Sequence, residues 1–427
     1  MNDPLLRVIR ADELTYRRAR AVDDLTLAAA RTILDDLDAR GEVAALEHAR
    51  RLGDIREGEP HLYSPADLAA ARDRLPRAQR DVLERTAARI RAFADAQRAC
   101  LRDLTFPIPG GEAGHTLAPV RSAGCYAPGG RYPLPSSVLM TAVTARAAGV
   151  QEVWVASPRP TDATLAAAAI AEADGLLAIG GVQAIGVMAR GLLSVPRCDM
   201  IVGPGNRWVT AAKHLVSGEV GIDMLAGPSE LLILADHTAD PALIAADLLA
   251  QAEHDDDAVP MLVTTCAELV SGVERELQSQ LESLPTAAMA RTSLRNGFAI
   301  VATTLEQALL FTNRIGPEHL EIMAADAAAV ARGGRNAGAI FLGTNTPEAL
   351  GDYGAGPNHV LPTGSTSRFR AGLSVFSFVR ARTWLRIDDS SAALAMHADA
   401  VALARIENLE AHARSVEHRA AGRTVMP

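Results

Sequence analysis

The clearest chemical signal in this sequence is Glu318-His319, a carboxylate and an imidazole placed directly after Pro317. Such a pair supplies two groups that can move protons near neutral pH. Adjacent residues seldom point the same way on a helix, but at a turn both side chains can face one cavity. The alternative is an ordinary helix start with a glutamate in its first turn, and this segment alone does not decide between the two.

A second candidate is formed by Gln251 and His254, three residues apart near the end of a predicted helix. This spacing places both side chains on one face of the helix. An amide oxygen and an imidazole nitrogen are reasonable zinc ligands, although two ligands do not make a site. By itself, the segment is explained as well by a polar helix end beside the acidic residues 255–257.

Residues 351–363 form a third candidate, because glycines and prolines there surround Asp352, Asn358 and His359. A plain linker would not also hold the apolar residues of this segment, so a conformationally demanding functional loop is the better interpretation.

Near the C-terminus, Glu407 and His412 would lie ~140° apart on an uninterrupted helix. Asn408 tolerates the left-handed conformation and would allow a break that turns both toward one site. A solvated helix face is the alternative that periodicity favours.

Two glycine segments, residues 126–131 and 203–206, complete the set. The second follows a strand-like run, where backbone amides at a helix start can hold phosphate. Asp223 lies about 20 positions after Gly203, as a ribose-binding acid would, but it follows no clear strand. Neither segment reads GxGxxG, so a plain turn remains open for each.

The surrounding pattern predicts alternating strands and helices from about Phe106 onward, which is typical of parallel α/β layers. The predicted strands are residues 152–156, 176–179, 199–202, 231–234, 261–263, 298–301 and 339–342. Helices are predicted at 161–173 and 241–254, and from about Ser390 to the end. The first ~120 residues are predicted to be mostly helical, with 25–51 as one segment and a second opening at the Ser64 N-cap toward Leu101. Two α/β units with a helical arm follow.

Composition restricts the function classes. The chain has 427 residues, 48% hydrophobic and 22% charged, with a net charge of −9 that argues against nucleic acid as a partner. No apolar run approaches the ~20 residues of a membrane span. The start lacks a signal pattern, which predicts a cytoplasmic protein. The four cysteines are far apart and are expected to stay reduced.

Taken together and in order, these segments resemble the histidinol dehydrogenase family from about Val120 to Arg419. The resemblance rests on Ala127-Pro128-Gly129-Gly130 with residues 135–140, on Gly203-Pro204-Gly205-Asn206, and on the run 221–230, Gly-Ile-Asp-Met-Leu-Ala-Gly-Pro-Ser-Glu. The Gln251 to His254 helix end, Glu318-His319, the 352–363 loop and the His412 segment follow.

The resemblance implies a role for each matching residue. Glu318 and His319 match the proton-transfer pair. The residues that match zinc ligands are Gln251, His254, Asp352 and His412. The residues that match substrate contacts are Ser229, His359 and Glu407. The residues that match zinc ligands, together with His319, would border the same pocket. The residues that match contacts to NAD are Tyr126, Gln183 and Asn206.

The implied reaction is a four-electron oxidation of L-histidinol to L-histidine through the aldehyde, using two NAD and one zinc ion per subunit. The implied fold is α/β, with two Rossmann-like parallel-sheet domains and a small helical arm formed by the termini. Residues 1–22 would be an N-terminal arm, 23–124 with 231–373 the first domain, 125–230 the second domain on the NAD side, and 374–427 a dimerisation arm. The family's arm gives His412 to the partner subunit, which implies a homodimer with shared active sites.

Two departures bear on the substrate. Asn408 replaces the family's usual glycine after Glu407, and the part before Phe106 matches weakly. A sister branch similar to sulfopropanediol dehydrogenase, which oxidises another small alcohol, is therefore an alternative. A zinc hydrolase is an alternative of another class, since a metal beside a Glu–His pair also suits attack by water. A non-catalytic binding protein on an enzyme fold is the third.

Overall fold

The structure, a computed structural model, describes residues 4–10, 13–14, 22–129 and 132–420. Most of the predicted N-terminal arm, 1–22, lies outside the described residues, as do Gly130 and Arg131 of the first glycine segment. The chain divides into two compact units, one of residues 1–96 and 120–378 and one of residues 97–119 and 379–427. The domain boundaries inferred from the sequence stay a prediction.

The strands and helices are numbered in chain order. The strands are β1 (Arg7–Val8), β2 (Leu62–Tyr63), β3 (Leu104–Ile108), β4 (Gly111–Pro119), β5 (Ser122–Tyr126), β6 (Glu152–Ala156), β7 (Gly175–Leu177), β8 (Met200–Val202), β9 (Gly221–Ile222), β10 (Glu230–Ala235), β11 (Val259–Thr264), β12 (Phe298–Val301), β13 (His319–Met323), β14 (Ala339–Leu342) and β15 (Val379–Ile387). The helices are α1 (Asp24–Arg40), α2 (Glu42–Arg51), α3 (Pro65–Arg74), α4 (Arg77–Ala99), α5 (Pro135–Ala148), α6 (Asp162–Ile170), α7 (Gly181–Arg190), α8 (Arg207–Val216), α9 (Pro241–Ala252), α10 (Ala267–Leu281), α11 (Ala287–Leu294), α12 (Leu305–Ile315), α13 (Ala327–Ala331), α14 (Ala349–Asp352), α15 (Leu394–Ile406) and α16 (Glu410–Ala420).

The first unit contains two six-stranded sheets that are built in the same way. One has the order β1-β12-β11-β10-β13-β14 and the other β2-β7-β6-β5-β8-β9. In each, five consecutive strands start at a central strand, add two parallel strands on one side and then cross to add two on the other. The sixth strand comes from earlier in the chain and lies at the edge: β1 pairs with β12 in parallel, and β2 pairs with β7 in antiparallel orientation. This doubly wound arrangement confirms the predicted Rossmann-like fold class.

Burial on both faces explains why the predicted strands read as continuous apolar runs. Every residue of β10 is buried, and the apolar side chains of its sheet form one cluster on each face, around Ile233 and around Leu234. All the strands predicted from such runs are present. The central strands β5 and β13 were not predicted, because small residues in one and His319 and Glu321 in the other interrupt the pattern.

The N-terminal helices differ from the prediction at two turns. The segment 25–51 is two helices, because Gly41 has a positive φ of 60° and ends α1. The Ser64 N-cap is confirmed and forms a capping box with Asp67, but the helix ends at Arg74, just before Pro76. Helices α1 and α2 pack on α7, and α3 packs on α6.

The second unit combines helices with a sheet that was not predicted. Strands β15, β4 and β3 form an antiparallel sheet, and α15 packs on α16. The helices expected after about Ser390 are present, and the residues expected to form a helical arm, 374–427, also contain strand β15. Strand β15 alternates apolar and polar residues over residues 379–382, and most of its residues are exposed. Within the part of the chain described above, no helix has the length and apolarity needed to cross a membrane.

Candidate active site

The site residues of the first unit gather at the edge where the central strands β10 and β13 begin. Leu231 pairs with His319, so Ser229 and Glu318 come directly before neighbouring strand positions. Helix α9 follows β10 and runs back, which brings its C-terminal end with Gln251 to the same edge. In open parallel sheets, sites usually lie at the opposite edge, outside the carboxyl ends of the strands.

Glu318 is buried and firmly held. Its Oε2 accepts hydrogen bonds from the Ser229 hydroxyl at 2.8 Å and from the Glu230 backbone N–H at 2.9 Å. Burial raises the pKa of Glu318 to about 7, even though these two hydrogen bonds favour the charged form. A carboxyl group with a pKa near neutrality is suited to act as a general base.

His319 is also buried, and its surroundings fix its tautomer. Its Nδ1 lies 3.0 Å from the backbone carbonyl oxygen of Glu230, which can only accept, so Nδ1 carries the proton and donates. Burial lowers the pKa of His319 to about 4. The ring is therefore neutral at pH 7, with a basic lone pair on Nε2. The Glu318 carboxylate lies 3.6 Å from Nδ1, so the predicted pair is adjacent in space.

A group of metal-ligating side chains lies beside this pair. The side chains of His254, Glu348 and Asp352 each place one ligand atom within 4.8 Å of the others. His254 Nε2 is 3.4 Å from Asp352 Oδ2 and 3.9 Å from Glu348 Oε1. Glu348 also approaches His319 Nδ1 to 3.4 Å, so one carboxylate joins this cluster to the proton-transfer pair.

Gln251 is a further side chain that could hold a metal ion. Its side chain is fully buried, yet neither amide atom has a hydrogen-bond partner among the described residues. Buried polar atoms are rarely left in this state, so a ligand that satisfies the amide is expected. An amide oxygen, an imidazole nitrogen and carboxylate oxygens, without a thiolate, suit a zinc ion that must also bind a substrate.

His359 connects the loop 351–363 to the other sheet of the first unit. Its Nδ1 donates to the backbone carbonyl oxygen of Asp352 at 3.2 Å, which leaves Nε2 to accept from the Ser137 hydroxyl at 3.3 Å. Ser137 is in α5, which follows β5. The predicted functional loop is thus held between the two sheets, with Asp352 at its start.

The residues that resemble NAD contacts lie at the carboxyl ends of β5, β7 and β8. The Tyr126 hydroxyl oxygen accepts from the Gly181 N–H at 3.2 Å, at the start of α7. Gln183 is in the first turn of α7, and Asn206 is the N-cap of α8. Because the chain crosses from one side of β5 to the other here, this edge is the switch point at which doubly wound sheets bind ligands.

Asp223 has a different role from the ribose-binding one considered for it. Its carboxylate contacts the buried ammonium group of Lys213 and accepts from the Gly203 N–H at 2.7 Å. Lys213 in turn donates to the Gly203 carbonyl oxygen at 3.0 Å. Gly203 has a φ of +115°, and a Cβ there would collide with the Tyr126 carbonyl. The ion pair therefore fixes the turn before Asn206.

Glu407 and His412 lie in the second unit. Glu407 caps the end of α15, Asn408 has a positive φ of 60°, and His412 is in the first turn of α16. The predicted break at Asn408 is confirmed. That His412 and Glu407 join the metal and substrate site stays a prediction.

Comparisons with known proteins identify the family. The sequence model of histidinol dehydrogenase matches residues 16–420. The histidinol dehydrogenase of Ruegeria pomeroyi is 44% identical over 393 residues, 91% of this chain and 90% of that one, and that of Thermus thermophilus is 47% identical over 343 residues, 80% and 82%. The crystal structure of histidinol dehydrogenase from Elizabethkingia anophelis superposes with a TM-score of 0.91 at 29% identity, covering 98% and 99% of the two chains.

The chain belongs to the histidinol dehydrogenase family. It is an oxidoreductase, and this membership favours neither a zinc hydrolase nor a non-catalytic binding protein.

Two buried acids of this histidinol dehydrogenase family member, Glu348 and Asp54, were not identified from the sequence. Glu348 stands before α14 and reads as an ordinary helix-start glutamate, but burial and the neighbouring Asp352 raise its pKa well above the usual value. Asp54 follows α2 in a plain loop, yet it accepts a hydrogen bond from the Gln183 amide at 2.7 Å. The sequence does not show the burial of Glu348, its approach to His319 or the contact of Asp54 with Gln183.

Proposed function

We propose that this chain oxidises L-histidinol to L-histidine through the aldehyde, a four-electron oxidation that uses two NAD and one zinc ion. The relatives that carry the name histidinol dehydrogenase support this substrate. The observation on which the chemistry rests is the contact of His319 Nδ1 with the Glu230 carbonyl oxygen, beside the Glu318 carboxylate.

His319 is the base of the first oxidation. With Nδ1 as donor, its Nε2 lone pair is free to take the proton of the substrate hydroxyl. The pKa of about 4 keeps the ring unprotonated before the reaction. NAD, when bound, accepts the hydride from the carbinol carbon, which completes the two-electron step.

Glu318 is the base of the second stage. Ser229 and the Glu230 N–H occupy Oε2, which leaves Oε1 to take a proton from the water that attacks the aldehyde. After His319 has released its first proton to solvent, it would accept the hydroxyl proton of the resulting hydrate, and a second NAD, when bound, would take the hydride. Separate acceptors for alcohol and water thus follow from the different environments of two neighbouring side chains.

The metal would be held by Gln251, His254 and Asp352, with His412 of the partner subunit as the fourth ligand. The unpartnered amide of Gln251 and the close approach of His254 to Asp352 support this set. When bound, zinc would fix the imidazole and amine of the substrate and so orient its carbinol carbon. Ser229, His359 and Glu407 are proposed to contact the same substrate.

The NAD assignment is supported by the edge of the second sheet at which Tyr126, Gln183 and Asn206 converge. Two helices, α7 and α8, begin there, and their N–H groups favour anionic phosphates. Absorbance at 340 nm tests the reaction directly. The zinc-loaded protein should form two NADH per L-histidinol and none with E318Q/H319N; turnover of 2,3-dihydroxypropane-1-sulfonate in place of histidinol would assign the chain to the sister branch.

A homodimer with shared sites is part of the proposal, and the second unit supports it with exposed apolar side chains. Leu385, Leu394, Leu403 and Ile406 are each more than half exposed. Patches of this kind mark association surfaces.

Co-expression of H412N with E318Q tests the sharing of sites. If each site combines residues of two chains, a mixed dimer has one intact and one doubly altered site. Random pairing then restores about a quarter of wild-type activity, although each variant alone is inactive. Sites complete within one chain would give no recovery.

A further inference from the structure

Asp54 and Gln183 form a buried hydrogen-bonded pair at the predicted NAD edge. Asp54 lies in the loop after α2, and Gln183 lies in the first turn of α7. Gln183 Nε2 donates to Asp54 Oδ2 at 2.7 Å, and the Gly180 N–H donates to the same oxygen at 3.0 Å. Gln183 is 1% exposed and Asp54 9% exposed, so water has little access to either.

These contacts decide which end of the Gln183 amide faces Asp54. An ionised carboxylate can only accept, so Oδ2 accepts from both the Gly180 N–H and the Gln183 side chain. A flipped amide would place two acceptor oxygens against each other, which is unfavourable in a buried site. The Gln183 side chain is therefore fixed with its NH₂ group on Asp54 and its carbonyl oxygen directed elsewhere.

The side-chain carbonyl oxygen of Gln183 is the atom that can contact a bound molecule. Gln183 Oε1 is buried and has no hydrogen-bond partner within the described parts of the chain. It lies over Gly181, where a Cβ would be 3.3 Å from it, and the Gly181 N–H donates to the Tyr126 hydroxyl oxygen. Buried carbonyl oxygens normally have a donor, so this one is available to a donor group of a bound molecule.

We infer that Asp54 is a positioning residue for the nicotinamide dinucleotide, because it orients Gln183 to present an acceptor to an N–H or O–H group of that cofactor. The inference rests on the proposed use of NAD and adds a residue that acts through Gln183. The interaction is with a donor group, so a phosphate would not replace it.

A double-mutant cycle with NADH as the probe tests this inference. Loss of one buried hydrogen bond in D54A should raise the Kd for NADH and the KM for NAD about ten-fold. Q183M, which lacks the acceptor, should raise both at least as much. Because Asp54 acts through Gln183, D54A/Q183M should bind NADH within about two-fold of Q183M. D54N retains an acceptor oxygen and should bind within about two-fold of wild type.

The controls separate positioning from general structure. D73A removes an exposed acid of α3, 64% exposed, and should leave Kd unchanged. In D54A, kcat and the KM for histidinol should stay near wild type. Equal NADH affinity of D54A and wild type, or additive effects in the double variant, would overturn the role of Asp54 alone. No NADH binding by wild type would instead overturn the proposed NAD dependence and this inference with it.

Discussion

The buried ion pair of Lys213 with Asp223 gives a stability prediction that is independent of catalysis. Lys213 is the only lysine of the chain, and its side chain is 3% exposed. The substitution K213M retains the aliphatic stem and removes the ammonium group. Asp223 then loses its counter-charge but keeps the N–H groups of Gly203 at 2.7 Å and Met224 at 2.6 Å.

The expected loss of unfolding free energy follows from the charge of Asp223 that remains buried in K213M. Breaking a buried pair by removing one partner costs about 3–5 kcal/mol, since the remaining charge is buried without compensation. The two backbone donors to Asp223 place the expected loss at the lower end, about 3 kcal/mol. In K213M/D223N both charges are gone, so the loss should be smaller than in K213M, with a coupling of about 1–2 kcal/mol.

Urea unfolding, followed by tryptophan fluorescence, measures this loss, because Trp208 lies in the same helix as Lys213. With a slope of about 2–3 kcal/mol per molar, the midpoint of K213M should fall by about 1 M. R74M is the matched control. It breaks a 2.6 Å pair with Asp162 that is about half exposed and should cost less than about 1 kcal/mol. Equal midpoints for K213M and R74M, or a double variant less stable than K213M, would refute the reasoning.

Three further outcomes are expected. With histidinal as substrate, wild-type activity should rise with pH through about 7 as Glu318 ionises. The E318Q variant should lose this pH dependence, and its activity should be about 10²–10⁴-fold lower. An unchanged pH profile in E318Q would exclude Glu318 as the base. Burial and the adjacent Asp247 raise the pKa of Glu321, so the stability present below the pKa of the unfolded chain is lost as pH rises. E321Q avoids this loss, and its thermal midpoint should exceed that of wild type by more at pH 8.5 than at pH 5.5; a gap that does not change with pH would count against this. Dialysis against a chelator should remove activity that zinc restores, and D352N should retain less zinc than D255N by atomic absorption; equal zinc contents would remove Asp352 from the ligand set.

Much of the fold follows from local patterns in the sequence. Apolar runs such as 231–234 identified strands, and the Ser64 and Asn408 signals placed a helix start and a helix break that the structure confirms. Strand β13 was missed because His319 and Glu321 interrupt its apolar run, although both are buried in the structure. Local periodicity cannot predict that a titratable side chain is buried in a strand.

The candidate site shows the same limit more sharply. Glu318 and His319 were recognised by residue type, but their chemistry depends on the Glu230 backbone, which only strand pairing brings near. Glu348 and Asp54 carry no local signal, because an isolated glutamate or aspartate near a helix or loop is ordinary. Their importance comes from burial and from contacts over long sequence separations, which topology determines.

The position of Glu318 and His319 at the start of β13, which has a paired strand on each side, has a consequence for motion. His319 pairs with Leu231 on one side and Ala339 on the other, so its amide is expected to exchange hydrogen with solvent only when the whole sheet opens. Asp352, in contrast, ends the four-residue helix α14 and begins a glycine-rich loop, where small openings need little free energy. We therefore expect the side of the site formed by His319 to be rigid and the side formed by Asp352 to be flexible. Adjustment of the site to substrate should then occur through movement of the Asp352 side.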